Sequence, residues 1–165
     1  MKNSILKFSF LLFIFFPISI LQAQIKKGEI AKDKLVSSKF DTSEKHQYTI
    51  NLNKNQFVFF KLLQKGIDLK VTTYNDQKEK LEEFDSPNHR NGYELFTITS
   101  DKKGEYLLEI ESIDEKNHVG EYELSIQSIK PKAIKPNEQV DQLFAQWDTD
   151  NTPGAAVAII KDGAI

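Results

Sequence analysis

The feature that most constrains this chain is a period of two. Between residues 46 and 129 apolar and polar side chains alternate, and turn-forming residues recur every 8–14 positions. A strand places successive side chains on opposite faces, so this pattern suits strands with one buried face and not helices of 3.6 residues per turn. HQYTINL (46–52) alternates Tyr48, Ile50 and Leu52, and Asn53-Lys54-Asn55 forms a turn. QFVFFKLL (56–63) is a denser apolar run, as in a strand covered on both faces. After Lys65-Gly66, IDLKVTTY (67–74) sets Ile67, Leu69 and Val71 against Asp68, Lys70 and Thr72. The charged stretch 76–90 reads as a loop that could carry a short edge strand near Leu81–Phe84. Asn91-Gly92 then opens YELFTIT (93–99).

Two later segments echo each other. GEYLLEI (104–110) and GEYELSI (120–126) share Gly-Glu-Tyr-x-Leu-x-Ile at a spacing of 16. In each, Tyr, Leu and Ile share one face, and the glycine is expected to mark the turn before the strand. Two copies fall short of a solenoid and read as two related strands of one sandwich. Regular short strands at this spacing predict an all-β sandwich. IDLKVTTYND, TSDKKGEYLLEIES and VGEYELSIQ together resemble the bacterial pre-peptidase C-terminal type domain, over roughly residues 44–129. The resemblance implies a jelly-roll-like β-sandwich that accompanies secreted hydrolases, is not itself catalytic, and binds carbohydrate or protein surfaces.

Residues 1–23 carry five of the 12 Phe. Lys2 and Lys7 precede the apolar run FSFLLFIFF (8–16), Pro17 breaks it, and LQA (21–23) ends in a small residue. This is the pattern of an export signal cleaved after Ala23. Removing 23 of 165 residues leaves 142 and, with both lysines gone, shifts the net charge from −2 to −4. Such a charge points away from nucleic acid, and no membrane association is expected after cleavage. The absence of cysteine excludes disulfides, thiolate metal sites, a Cys nucleophile and a lipidated Cys. The expected location is periplasmic or secreted, in a bacterium.

Beyond the sandwich, assigned to 24–129, KPKAIKPN (130–137) reads as a stiff Lys/Pro linker. Asn137 is a candidate N-cap, with Glu138 and Asp141 in the first turn. Val140, Leu143, Phe144 and Trp147 make one apolar helical stripe, with Trp147 expected to pack into a core. After a polar loop ending at Pro153-Gly154, AAVAII (155–160) reads as a buried strand and Lys161-Asp162-Gly163 as a hairpin turn. Helix, NTPGAAVAIIKDG and strand resemble the opening of serine β-lactamase-like hydrolases, the superfamily of class C β-lactamases and D-alanyl-D-alanine carboxypeptidases, over about 138–165. The resemblance implies the first helix and strand of an α+β domain, with Ser-x-x-Lys, Tyr-x-Asn and Lys-Thr-Gly motifs that these residues do not contain.

The upstream matches to those motifs are chance ones: Ser4–Lys7 lies in the export signal, and Ser100–Lys103 and His118-Val119-Gly120 lie in turns. No catalytic, cofactor-binding or metal residue is assigned, and no cofactor is expected. Asp148-Thr149-Asp150 fails as a calcium loop because Pro153 and Ile159 stand where Gly and Glu are needed. Asp68 with the acidic run Glu79–Asp85 reads as a solvated face in preference to a weak ion site. Two function classes follow. One is the N-terminal portion of a secreted serine hydrolase of the β-lactamase or penicillin-binding type, inactive as it stands, with a cell-wall peptide, ester or glycan as ligand. The other is a stand-alone secreted β-sandwich that binds glycan or protein. A structural surface protein is a third, weaker option.

Overall fold

A computed structural model describes residues 23–115, 118–147, 156–158, 160 and 162. The expected export signal, apart from Ala23, lies outside them. Nine strands are present among the described residues: β1 (Ala23–Glu29), β2 (Val36–Asp41), β3 (Glu44–Leu52), β4 (Gln56–Lys65), β5 (Leu69–Tyr74), β6 (Lys80–Phe84), β7 (Asn91–Ser100), β8 (Gly104–Ser112) and β9 (Val119–Pro131). They form two sheets, ordered β1-β3-β8-β5-β6 and β2-β9-β4-β7. All pairs are antiparallel except β1 with β3. The expected all-β sandwich is the observed architecture.

The alternating residues do what their spacing predicts. Tyr48, Ile50 and Leu52 of β3, Tyr106, Leu108 and Ile110 of β8, and Leu69 and Val71 of β5 point inward from one sheet. Val58, Phe60 and Leu62 of β4, Phe96 and Ile98 of β7, and Tyr122, Leu124 and Ile126 of β9 meet them from the other. Phe60 stacks on Phe96, with centroids 4.8 Å apart and planes 6° from parallel. Burying side chains of this size stabilises the fold by about 1.5–3 kcal/mol each, which is how a core without disulfides suffices.

The repeated glycines have a different cause from the one expected. Neither Gly104 nor Gly120 has a positive φ, and each lies within its strand. They are places of close approach. A Cβ on Gly120 would sit 2.5 Å from Ile67 Cγ2 and 2.6 Å from the Lys65 carbonyl, and one on Gly104 would sit 2.6 Å from Asp76 Cβ.

The chain beyond the sandwich departs from expectation in several ways. β9 runs through Lys130 and Pro131, paired with Phe57 and Gln56, so the strand takes the first part of the expected linker. Helix α1 (Pro136–Leu143) starts from Lys135, not Asn137, with proline in its first turn. Proline is favoured there because its missing N–H has no helical partner to lose. A short 3-10 turn, Ala145–Trp147, follows. The apolar stripe forms, but Leu143 is 70% and Trp147 46% exposed. Trp147 therefore does not enter the core; its ring packs on Phe144, 5.3 Å between centroids. Of the expected strand 155–160, residues Ala156, Val157, Ala158 and Ile160 are described, and they are exposed and not in a strand. Asp162, at the expected turn, has φ +52°; the rest of that turn and Asp148-Thr149-Asp150 lie outside the described residues.

Candidate functional site: a polar groove on the five-stranded sheet

The residues opposite the core face of β3, β8 and β5 are polar, and the strand register sets them in rows. Gln47, Glu109 and Thr72 align in one row, and Thr49, Leu107 and Tyr74 in the next. Lys45, Glu111 and Lys70 form a third. β1 adds Gln24 and Lys26 alongside β3.

Glu109 is the organising group. It lies on the outer face yet is only 7% exposed, because neighbouring side chains close over it. One carboxylate oxygen accepts from Gln47 Nε2 at 2.9 Å and Gln24 Nε2 at 3.3 Å. The other accepts from Lys45 Nζ at 3.4 Å and faces the Tyr74 hydroxyl at 3.5 Å. A buried carboxylate is tolerable only when so surrounded by donors.

Around this centre lies an open groove of about 720 Å³, within the range of small-ligand sites. Gln24, Lys26, Gln47, Thr49, Tyr74, Asn75, Asp76, Lys78, Glu105, Leu107 and Glu109 contribute to its walls and floor. Beside it runs an ion ladder. Lys45 Nζ lies 2.6 Å from Glu111, Lys70 lies 3.0 Å from Glu111 and 3.4 Å from Glu83, and Lys80 lies 2.9 Å from Glu83. Burial would raise the Glu111 carboxyl, but hydrogen bonds from Lys45 and Lys70 outweigh it and hold the group below its ordinary value. Of the acidic run, Glu83 is thus tied to two lysines. Among the described residues no cluster of three or more His, Asp or Glu side chains is arranged to hold a metal ion.

A second polar constellation is sealed inside the sandwich. His46 is fully buried; its Nδ1 lies 2.8 Å from the Tyr122 hydroxyl, which lies 2.7 Å from the Tyr48 hydroxyl. His46 Nε2 lies 2.9 Å from Glu44. Burial pushes the imidazole below its ordinary value and the Tyr122 hydroxyl far above its own. Tyr122 and Tyr48 are buried, so the cluster joins β9 of one sheet to β3 of the other.

Ser4–Lys7 lies outside the described residues; Ser100 and His118, the other motif matches, each have structural partners. Ser100 is buried; its Oγ donates to the Asn53 carbonyl at 2.6 Å and accepts the Gln56 N–H at 2.9 Å. His118 Nε2 takes a hydrogen bond from Arg90 Nη2 at 2.8 Å, and Arg90 Nε donates to Asp114 at 2.9 Å. Asp68 lies near Asp114, which accepts its backbone N–H at 3.0 Å, and burial with the neighbouring charges of Asp85 and Asp114 raises its carboxyl above the ordinary value. Sequence reasoning missed the groove. Gln24, Gln47, Tyr74 and Glu109 come from four strands, and no local spacing announces their meeting. The one local signal was the outward side of β8, where Glu105, Glu109 and Glu111 alternate with the core.

No family model matches the chain, and no curated protein matches it. Among solved structures, the chain is similar to the pre-peptidase C-terminal domain of a collagenase from Bacillus anthracis, with 18% identity, a TM-score of 0.44, and coverage of 64% of this chain and 96% of that one. It is also similar to PliG, a periplasmic inhibitor of g-type lysozyme. The Aeromonas hydrophila protein has 13% identity and a TM-score of 0.46, covering 64% of this chain and 100% of that one. The Salmonella Typhimurium protein has 18% identity and a TM-score of 0.44, covering 66% and 98%. These are distant likenesses of β-sandwich modules, and they transfer no residue role to this chain.

Proposed function

We propose that this chain is a non-catalytic binding module of an exported bacterial protein, and that its ligand occupies the groove over Glu109. The observation that carries the reading is the preorganised floor: a nearly buried carboxylate holding two glutamine amides, a lysine and a tyrosine hydroxyl around an open cleft. Fixing polar side chains before binding reduces the entropy lost when a ligand arrives. The export signal read at 1–23 and the lack of cysteine support a periplasmic or secreted setting.

The test is a hydrogen–deuterium exchange footprint of the mature chain on isolated cell-wall sacculi and on immobilised polysaccharides. Protection centred on β3, β8 and β5 is expected. Binding with protection confined to the four-stranded sheet or α1 would overturn the assignment of the site. Turnover of a chromogenic β-lactam or a simple ester would overturn the non-catalytic reading.

A second reading has an observation of its own. α1 carries an apolar stripe, yet none of its residues is buried. An amphipathic helix of eight residues gains its stability from packing. This supports a module that fronts a further domain, and the β-lactamase-like motif of 138–165 supplies its candidate identity. In-frame coding sequence carrying Ser-x-x-Lys downstream of Ile165 would establish it.

A further inference from the structure

From the chemistry of the groove we infer that its ligand is a short, uncharged, hydroxyl-rich oligosaccharide; the inference rests on the proposed binding role and names its substrate class. Three observations favour it over the other polymers of a bacterial surface.

The first is backbone availability. The groove floor lies on β3, β8 and β5, each of which is hydrogen-bonded to a neighbour on both sides, while the edge strand β1 forms only a wall through Gln24, Lys26 and Gly28. An extended peptide is recognised mainly through a free strand edge, which the groove floor does not present. The second is charge. With Lys45 on Glu109, the groove holds three lysines, Lys26, Lys45 and Lys78, against three carboxylates, Asp76, Glu105 and Glu109. A phosphate- or sulfate-bearing polymer is held by a net cationic surface, which this balance does not supply. The third is the match of donors and acceptors. Each glutamine amide has two N–H donors and a carbonyl acceptor. Glu109 takes one donor from Gln24 and one from Gln47, which orients both amides and leaves each with a further donor and an acceptor. Asp76 and Glu105 add acceptors along the groove. A sugar hydroxyl both donates and accepts, so it can meet an amide and a carboxylate at once. Between the polar groups, Leu107 and the Tyr74 ring lie opposite each other across β8 and β5, a flat apolar strip suited to the C–H face of a pyranose ring.

The experiment is competition for binding of the mature chain to sacculi and immobilised polysaccharides. The competitors are short neutral chito-, cello- and manno-oligosaccharides, free cell-wall stem peptides, and heparin as a polyanion. At least one neutral oligosaccharide should compete, while stem peptides and heparin do not. Gln47→Ala with Tyr74→Ala should weaken binding by at least about tenfold, the loss of one or two net hydrogen bonds and a stacked ring. Glu105→Arg, at an exposed wall position, serves if the double variant melts early, and Lys39→Ala on the opposite sheet should bind as the parent does. Competition by stem peptide or heparin alone, with the groove footprint retained, would overturn the saccharide class and leave the binding role standing. Binding unaffected by all groove variants would overturn both.

Discussion

The two outer faces of this sandwich solve the same problem in opposite ways. Each sheet must give its second face something other than the core. On the five-stranded sheet that face is polar: lysines and glutamates alternate across β3, β8, β5 and β6 in the Lys45–Glu111–Lys70–Glu83–Lys80 ladder, and Glu109 gathers amides around a groove. On the four-stranded sheet the central strand β4 is apolar outward as well as inward. Phe57 is only 5% exposed beneath the segment that leads into α1, Phe59 and Leu63 are half-buried, and Lys61 lies over the Tyr93 ring at 4.9 Å. One face is organised to meet polar matter; the other is partly covered by the chain's own continuation. The contrast is between a polar face with an open groove and a face on which the strand's outward aromatics are partly covered.

The contrast can be broken most forcefully at Phe57. Phe57→Ala should cost about 3 kcal/mol or more of stability and loosen α1. Chemical denaturation and limited proteolysis after Lys130 would read this, whereas Leu107→Ala, half-buried on the polar face, should cost clearly less. Equal costs at the two sites would remove the distinction between the faces.

The interior that joins the sheets comes next. Tyr122→Phe removes the hydroxyl between His46 and Tyr48 and should cost about 1–3 kcal/mol, since it strands a buried ring nitrogen. The same cluster sets an acid dependence. His46 is held below its ordinary value of 6.5, so the unfolded chain binds the proton first. Its contribution to stability is present above 6.5 and is lost as pH falls through that value toward the folded one. Melting curves across this window should slope less steeply for His46→Gln than for the parent chain.

Smaller effects sharpen the polar face. Glu109→Gln should cost about 1 kcal/mol, because Lys45 keeps Glu111 and the amides keep a neutral acceptor. Its larger consequence should be weaker ligand binding, read in the competition assay. Lys80→Ala, at the end of the ladder, should change stability by no more than about 0.5 kcal/mol and lose even that in high salt.

Strands β3, β4, β5, β7, β8 and β9 were legible because each has a buried face, and burial leaves a period of two; β6, an edge strand with no buried residue, showed only as a short possibility within a charged stretch. β1 and β2 were not legible: AQIKKGE is an edge strand that is mostly exposed, and VSSKFD is an edge strand that buries only Phe40. The expected linker begins too early because Lys130 and Pro131 carry no visible partner in the sequence, yet β4 pairs with them through Phe57 and Gln56. The helix was legible as a stripe, but a stripe states only that one face wants burial, not that a surface is there to provide it. For the groove, nothing local could have sufficed. Gln24 and Glu109 stand 85 positions apart and meet through two intervening strand pairings.

By itself the sequence determined the strands that have a buried face from β3 onward, the turns between them, and which of their side chains share a face, because alternation follows from backbone geometry within a few residues. The tertiary structure alone decided the strand order, the parallel docking of β1 on β3, the need for glycine beside Ile67, and the convergence of four strands on Glu109. Those depend on pairings between distant segments, where register and packing, not local pattern, select the partner.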